Sequence, residues 1–297
     1  MIFTIAAAQY PLDALADWAA YEAKLARWVA EAAAGGAALA VFPEYGAMEL
    51  ASLDPATMGD LHGSMGFVAS LLPQVDALHA RLAAQHGLHI LAASAPAQRA
   101  DGAFVNRARL FTPGGKIGVQ DKLVMTRFER EQWGVSAGGP LRLFETSLGK
   151  IGINICYDSE FPLLARALVE AGMELLLVPS CTDAPHGYWR VRIGTQARAL
   201  EGQCYAVQAP TVGTAPWSPA VDESHGAGAI YGPPDGAFPS DGVVAIGTMD
   251  AAQWVFGEVD VARVVALRGN GGVLNTRHWA EQPGAVALAP VEVIDLR

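Results

Sequence analysis

Apolar and polar positions along this chain follow two rhythms. Short apolar runs with the continuity or two-residue alternation of buried strands are separated by longer stretches whose large side chains recur every three to four residues. Met1 to Tyr10 reads as a first strand. From Ala14 to Ala34, the residues Leu15, Trp18, Tyr21, Leu25, Trp28 and Val29 fall on one helical face, and Gly35-Gly36 stops the helix. A strand from Ala38 to Pro43 follows and delivers Glu44. Leu71 to His86 predicts a second helix, Leu88 to Ala93 a strand, and Phe104 to Phe111 a strand closed by the turn Thr112-Pro113-Gly114-Gly115. That turn leads into Lys116 to Gln120, just ahead of Lys122. Leu141 to Thr146 and Lys150 to Ile155 form a strand pair around Ser147-Leu148-Gly149. Leu163 to Ala171 predicts a helix, Leu175 to Val178 a strand, Trp189 to Leu200 a helix, and Cys204 to Ala209 and Val255 to Val259 two further strands. Strands alternating with helices predict an α/β fold.

No polar low-complexity linker divides the chain and no repeat of fixed period appears, so a single domain over residues 1–270 is expected, with 271–297 as a C-terminal extension that crosses onto a partner subunit. The glycine-rich stretch Gly226 to Gly242 lacks both the phosphate-loop ending and the dinucleotide spacing, and reads as hairpin turns. With 297 residues and 52% apolar content, the chain can fill a large core. Its net charge of -10 and the lack of a basic stripe oppose binding to phosphate backbones, so nucleic acid is not expected as a partner. Mean hydropathy is +0.23, yet no charge-free apolar stretch of about 18 residues supports a membrane span. The N-terminus carries no basic leader, and cytoplasmic residence is the expectation. Cys156, Cys181 and Cys204 are too few and too far apart for a disulfide framework or a structural zinc site.

Three chemically complementary side chains end three strand-like runs: Glu44, Lys122 and Cys156. A strand end holds a side chain rigidly while the turn beyond exposes it. A thiol with an ordinary pKa of about 8.5 is a weak nucleophile at neutral pH unless a base takes its proton or a cation stabilises its thiolate. Glu44 and Lys122 supply both, and Lys122 with the backbone N–H of Tyr157 can also steady an oxyanion. Taken singly, each residue has a plainer reading. A cysteine at a strand end is more often a small buried hydrophobe, a Glu after Phe-Pro can begin a surface turn, and Lys122 beside Asp121 can be a solvated pair.

The combination Phe42-Pro43-Glu44, Asp121-Lys122-Leu123 with Phe128-Glu129 downstream, and Gly152-Ile153-Asn154-Ile155-Cys156-Tyr157-Asp158-Ser159-Glu160-Phe161-Pro162 resembles the nitrilase superfamily of carbon-nitrogen hydrolases. Gly172 to Ser180 and Arg198-Ala199-Leu200-Glu201 resemble later family segments, and the similarity runs from the first strand to about Asp260. The chain departs from many relatives at Leu163, where they carry Glu, and at Gly202, where they carry Asn. The resemblance implies a four-layer αββα sandwich and a Glu-Lys-Cys triad. Glu44 would be general base, Lys122 oxyanion stabiliser, Cys156 nucleophile, and Glu129 a second glutamate that positions substrate and neighbours. No metal and no cofactor is implied. Cys156-Tyr157-Asp158 is more similar to amidases and omega-amidase-like members than to nitrile-cleaving ones, so the implied substrate is a small-molecule amide, with nitrile or N-carbamoyl hydrolysis and a catalytically silent binding protein as alternatives. A homodimer or higher homo-oligomer is also implied.

Further residues are weighed as pocket candidates. Cys181 follows Pro179-Ser180 at another strand end, and Asp183, His186, Tyr188 and Trp189 are placed in the loop after that strand, since specificity residues tend to sit on loops. Arg127 and Arg130, beside Glu129 and Glu131, read as solvated charges, and His86-x-x-His89 lacks the further ligands of a metal site.

Overall fold

A computed structural model of the chain describes residues 1–287. The strands are β1 (Ile2–Pro11), β2 (Ala37–Val41), β3 (His89–Gln98), β4 (Phe104–Phe111), β5 (Ile117–Asp121), β6 (Leu143–Thr146), β7 (Gly149–Ile153), β8 (Leu175–Ser180), β9 (Tyr205–Thr214), β10 (Glu223–Ser224), β11 (Ala229–Tyr231), β12 (Val243–Ile246) and β13 (Gln253–Asp260). The helices are α1 (Trp18–Ala34), α2 (Gly63–His86), α3 (Pro162–Glu170), α4 (Pro185–Gly202), α5 (Val261–Asn270) and α6 (Asn275–His278).

The alternation within β1 explains the layering. Ala6, Ala8 and Tyr10 face a core shared with α1 and α2, whereas Phe3, Ile5 and Ala7 face a second core with Ile151, Ile153, Leu175 and Leu177 of the other sheet. One sheet runs β5-β4-β3-β2-β1-β13, and the other runs β6-β7-β8-β9-β11-β12. They join where the end of β1 pairs in parallel with β9, at Tyr10↔Thr211 and Pro11↔Val212. The inner faces meet closely: Gly118 of β5 leaves no room for a Cβ against the Phe144 ring of β6, and Gly257 of β13 none against Ile230 of β11. Helices α1 and α2 cover the first sheet, and α3 and α4 the second, giving the αββα sandwich in one domain.

Local chemistry sets the helix ends. Asp17 caps α1 by accepting from Ala20 N at 2.8 Å, which moves the start three to four residues beyond the predicted one; such a cap contributes about 1 kcal/mol. Buried Tyr21, Leu25, Trp28, Val29 and Ala32 mark the inward stripe. α2 begins at Gly63, a full two turns before the predicted Leu71. Its first residues include Gly63 and Gly66 and have low helix propensity, but burial of Met65 and Val68 overrides it. The 3-10 turn Gly46–Leu53 escapes a reading by periodicity because it is buried on nearly every side. The glycine-rich stretch holds β11 and leads into β12, and the two strands pair antiparallel.

In the segment expected to be an extension, α6 lies against its own chain. Thr276 N donates to Gln203 Oε1 at 3.2 Å, and the Arg166 guanidinium sits 4.5 Å from the Trp279 ring centroid. Residues 288–297 of that expected extension lie outside the described residues. Among the described residues no helix is long and apolar enough to cross a membrane.

Candidate active site

Four strand ends converge on one cavity of about 340 Å³. Glu44 follows β2 by way of Phe42-Pro43, Lys122 directly follows β5, Cys156 follows β7 after Asn154-Ile155, and Cys181 directly follows β8. Ladder-like bonds continue past the strands and fix these ends: Phe42 N to Leu91 O at 2.9 Å, Lys122 N to Asn106 O at 2.9 Å, and Asn154 N to Leu177 O at 3.0 Å.

Lys122 is the hub. Its buried ammonium donates to Glu44 Oε1 and to Glu129 Oε2, each at 2.7 Å. The two carboxylates have different surroundings. Glu129 also accepts from Tyr45 Oη, Thr126 N and Thr126 Oγ1, each at 2.8 Å. Glu44 accepts from Asn106 Nδ2 and Cys181 N, each at 2.9 Å. Burial pushes the Glu44 carboxyl up to about 7, with Lys122 opposing and Glu129 adding. Burial also works against the Glu129 carboxylate, but Lys122 and the Thr126 and Tyr45 donors outweigh it and hold its pKa below the usual glutamate value. For Lys122, burial works against the charge, and Glu44 and Glu129 together overcome it, so its pKa lies well above that of a free lysine.

Cys156 opens a 3-10 turn, Cys156–Glu160, and its own backbone lies in the left-handed region at φ 49°. A side chain at such a φ is held only by an over-determined setting. Here Ser159 Oγ donates to Cys156 O at 2.6 Å, and the Asp158 carboxylate accepts from Ile155 N at 3.1 Å. The thiol is 4% exposed and its Sγ lies 3.8 Å from Cys181 O. Burial raises its pKa well above the ordinary value, Glu44 adds to this and Lys122 opposes it, so the resting group is a neutral thiol.

The cavity wall includes Tyr157, Cys181 and Asp183 among the residues expected there. His186 and Trp189 are not part of it. The stretch expected to be a loop is the start of α4, and helical rotation turns Arg190 and Val191 to the cavity while His186 is exposed and Trp189, 50% exposed, stacks with Arg192. Arg127 lines the rim and pairs with Glu131 at 2.8 Å, as a solvated ion pair. His86 ends α2 and His89 begins β3, where Ser147 Oγ lies 3.4 Å from its ring. Residue-by-residue reading missed Tyr45, Asn106 and Thr126, which hold the carboxylates, and Ser94, whose hydroxyl donates to Asn106 Oδ1 at 2.6 Å and accepts from Tyr45 N at 2.9 Å. Asn106, flanked by Val105 and Arg107 in a strand, was the one polar break that a search for buried amides in β4 would have caught.

Comparison with known proteins agrees with this architecture. The model of the carbon-nitrogen hydrolase family matches residues 4–257. A Bacillus subtilis protein named "Probable hydrolase YhcX" is 34% identical over 265 residues, covering 89% of this chain and 51% of that protein. The deaminated glutathione amidase of Bos taurus is 49% identical over 70 residues, 23% of this chain and 21% of that one. The chain thus spans about half the length of its Bacillus relative and a smaller part of the amidase. Among solved structures, a carbon-nitrogen hydrolase from Helicobacter pylori superposes with a TM-score of 0.74 at 18% identity, over 90% of this chain and 92% of that one. An amidase from Nesterenkonia sp. AN1 superposes with a TM-score of 0.69 at 18% identity, over 90% and 97%; its structure shows acrylamide added to the active site cysteine. Sequence and fold together place this chain in the carbon-nitrogen hydrolase family.

Proposed function

We propose that the protein hydrolyses a small-molecule amide to a carboxylic acid and ammonia or an amine, through a thioester on Cys156. The observation that carries this reading is the convergence of Cys156, Glu44 and Lys122 on one cavity, with Lys122 bridging two carboxylates whose surroundings push their pKa values apart. Two carboxyls separated in this way divide the labour. Glu129, ionised and fully bonded, is the standing counterion that keeps Lys122 charged. Glu44, poised near neutral pH, is the group that exchanges protons.

The steps follow. Glu44 takes the Cys156 proton as Sγ bonds to the amide carbon, and the carbonyl π pair moves onto oxygen, met by the Lys122 ammonium and the Tyr157 N–H. Glu44 returns that proton to the nitrogen, the C–N bond breaks and the amine leaves. A water then attacks the thioester while Glu44 takes its proton; as the C–S bond breaks, Glu44 returns that proton to Sγ, restoring the thiol and the carboxylate. The partial identity to a deaminated glutathione amidase supports an amide as the substrate class.

Ammonia release from a panel of small amides, omega-amides, N-carbamoyl compounds and nitriles tests the reading. Release is expected from amides, with at least a ~10³-fold loss in Cys156→Ala. Release that survives in Cys156→Ala excludes the thiol route. Release from nitriles or carbamoyl compounds alone moves the substrate class, and none from any leaves a silent binding protein.

A further inference from the structure

Asp158 stands outside the reaction just described, yet its carboxylate touches both halves of the site. The side chain is buried and lies in the 3-10 turn that starts at Cys156. Oδ2 accepts from Ile155 N at 3.1 Å, and Ile155 immediately precedes the nucleophile. Oδ1 accepts from Val124 N at 2.8 Å and from Leu123 N at 3.2 Å, and these two residues immediately follow Lys122. Leu123 N also lies 3.3 Å from Oδ2.

The bond to Ile155 alone is what the turn needs, since a side chain three residues into a helix commonly reaches back to the preceding amide. A neutral side chain could make it. The bonds to Leu123 and Val124 have no such local purpose, for they reach across 34 and 35 residues from the end of β7 to the end of β5. Those strands belong to different sheets. Among the described residues no hydrogen bond or ion pair joins a cationic side chain to Asp158; the charge is met by backbone amides, with Lys122 as the nearby ammonium, and burial pushes the carboxyl up to about 6. A buried charge held at this disadvantage calls for a use beyond stability, because an apolar replacement of similar shape is often no less stable.

We propose that Asp158 is a positioning residue that fixes the distance between the Lys122 ammonium and the Cys156 thiol by hydrogen-bonding the backbone next to each. The proposal rests on the hydrolase reading only for why that distance matters. Among the described residues no backbone–backbone hydrogen bond joins the β5 end carrying Lys122 to the turn carrying Cys156, so the carboxylate is the hydrogen-bonded tie between them. A misplacement of about 1 Å in such a pair costs on the order of 100-fold in rate.

Asp158→Asn provides the test, because the amide keeps one acceptor oxygen but turns N–H groups toward amides that need an acceptor. The expected result is a kcat about 100-fold lower with KM within about threefold of the parent, and a Cys156 alkylation rate by iodoacetamide at least about tenfold lower, because Lys122 no longer supports the thiolate. A folded variant whose kcat and alkylation rate both stay within about threefold of the parent overturns the proposal. If the variant does not fold, hydrogen exchange in the unaltered protein decides. Core-like protection of the Leu123, Val124 and Ile155 amides upholds the clamp, and exchange at exposed-loop rates overturns it. Alkylation and exchange need no substrate, so a parent protein that cleaves no amide counts against the hydrolase reading and leaves the clamp to be judged on these two measurements.

Discussion

At the scale of single residues, the site turns on how one ammonium is shared between two buried carboxylates. Glu129 has four donors besides the weak Asn106 contact at 3.4 Å, and stays ionised; Glu44 has fewer and titrates near 7. The sign of the pH dependence follows. A carboxyl whose folded pKa is raised is protonated below about 7, and the protonated form cannot take the thiol proton. We therefore expect kcat/KM for an amide to fall as pH drops through about 7, and Glu44→Gln to remove that limb along with most activity. The same shift means that folding favours protonated Glu44, so stability falls as pH rises from its unfolded value of 4.5 to about 7. Thermal melts should accordingly show Glu44→Gln gaining on the parent between those limits. A pH profile with its acid limb intact in Glu44→Gln would assign the proton transfer elsewhere. Glu44, Lys122, Cys156 and Glu129 were legible in the sequence because each carries rare chemistry at a strand end or in a specific motif. Tyr45, Asn106 and Thr126 were not, because an isolated polar residue gives no spacing signal until the strands are paired.

At the scale of elements, the period of the apolar residues located most strands and helices, and the misses share a cause. The turn Gly46–Leu53 and the extension of β3 to Gln98 are set by burial on nearly all sides and not by an amphipathic rhythm, and the first two turns of α2 are held by the burial of Met65 and Val68 against poor helix propensity. His186 and Trp189 were misplaced for a related reason: nearness along the chain was read as nearness to the cavity, and the α4 helix broke that link. A buried polar residue likewise holds β1 in place. Gln9 Nε2 donates to Thr248 O at 2.7 Å and Ala251 O at 2.6 Å, and its Oε1 accepts from Gly228 N at 3.0 Å. It thereby ties β1 to the connection between β12 and β13, and Gly247 must lack a side chain because a Cβ there collides with Gln9 Oε1. Gln9→Leu leaves Ala251 O and Gly228 N without the side chain that pairs them, while Thr248 O still accepts from Ala251 N at 3.3 Å and Gln253 Nε2 at 3.4 Å. A loss of about 3 kcal/mol in denaturant unfolding is expected, with the rate per folded molecule unchanged. A loss below about 1 kcal/mol would mean that water replaces the amide at these groups.

At the scale of the whole molecule, the two sheets place β2 and β5 on one side of the site and β7 and β8 on the other, so Glu44, Lys122 and Cys156 meet only because the sandwich is assembled. The alternation of strands and helices predicted an α/β protein; the four-layer arrangement came with the family resemblance, since periodicity cannot say which sheet faces which. The same holds for the cavity, whose wall draws on residues from Glu44 to Glu223. The chemistry proposed for this assembly has one intermediate that a silent binding protein does not form: an acyl group in thioester linkage to Cys156. Intact-mass analysis of enzyme quenched during turnover of an amide substrate measures it directly. The expected result is a mass increase equal to the acyl group, mapped by peptide analysis to Cys156, lost on treatment with hydroxylamine, and missing in Cys156→Ala. Steady amide cleavage with unmodified Cys156, or an adduct of the same mass formed on Cys156→Ala, would contradict it.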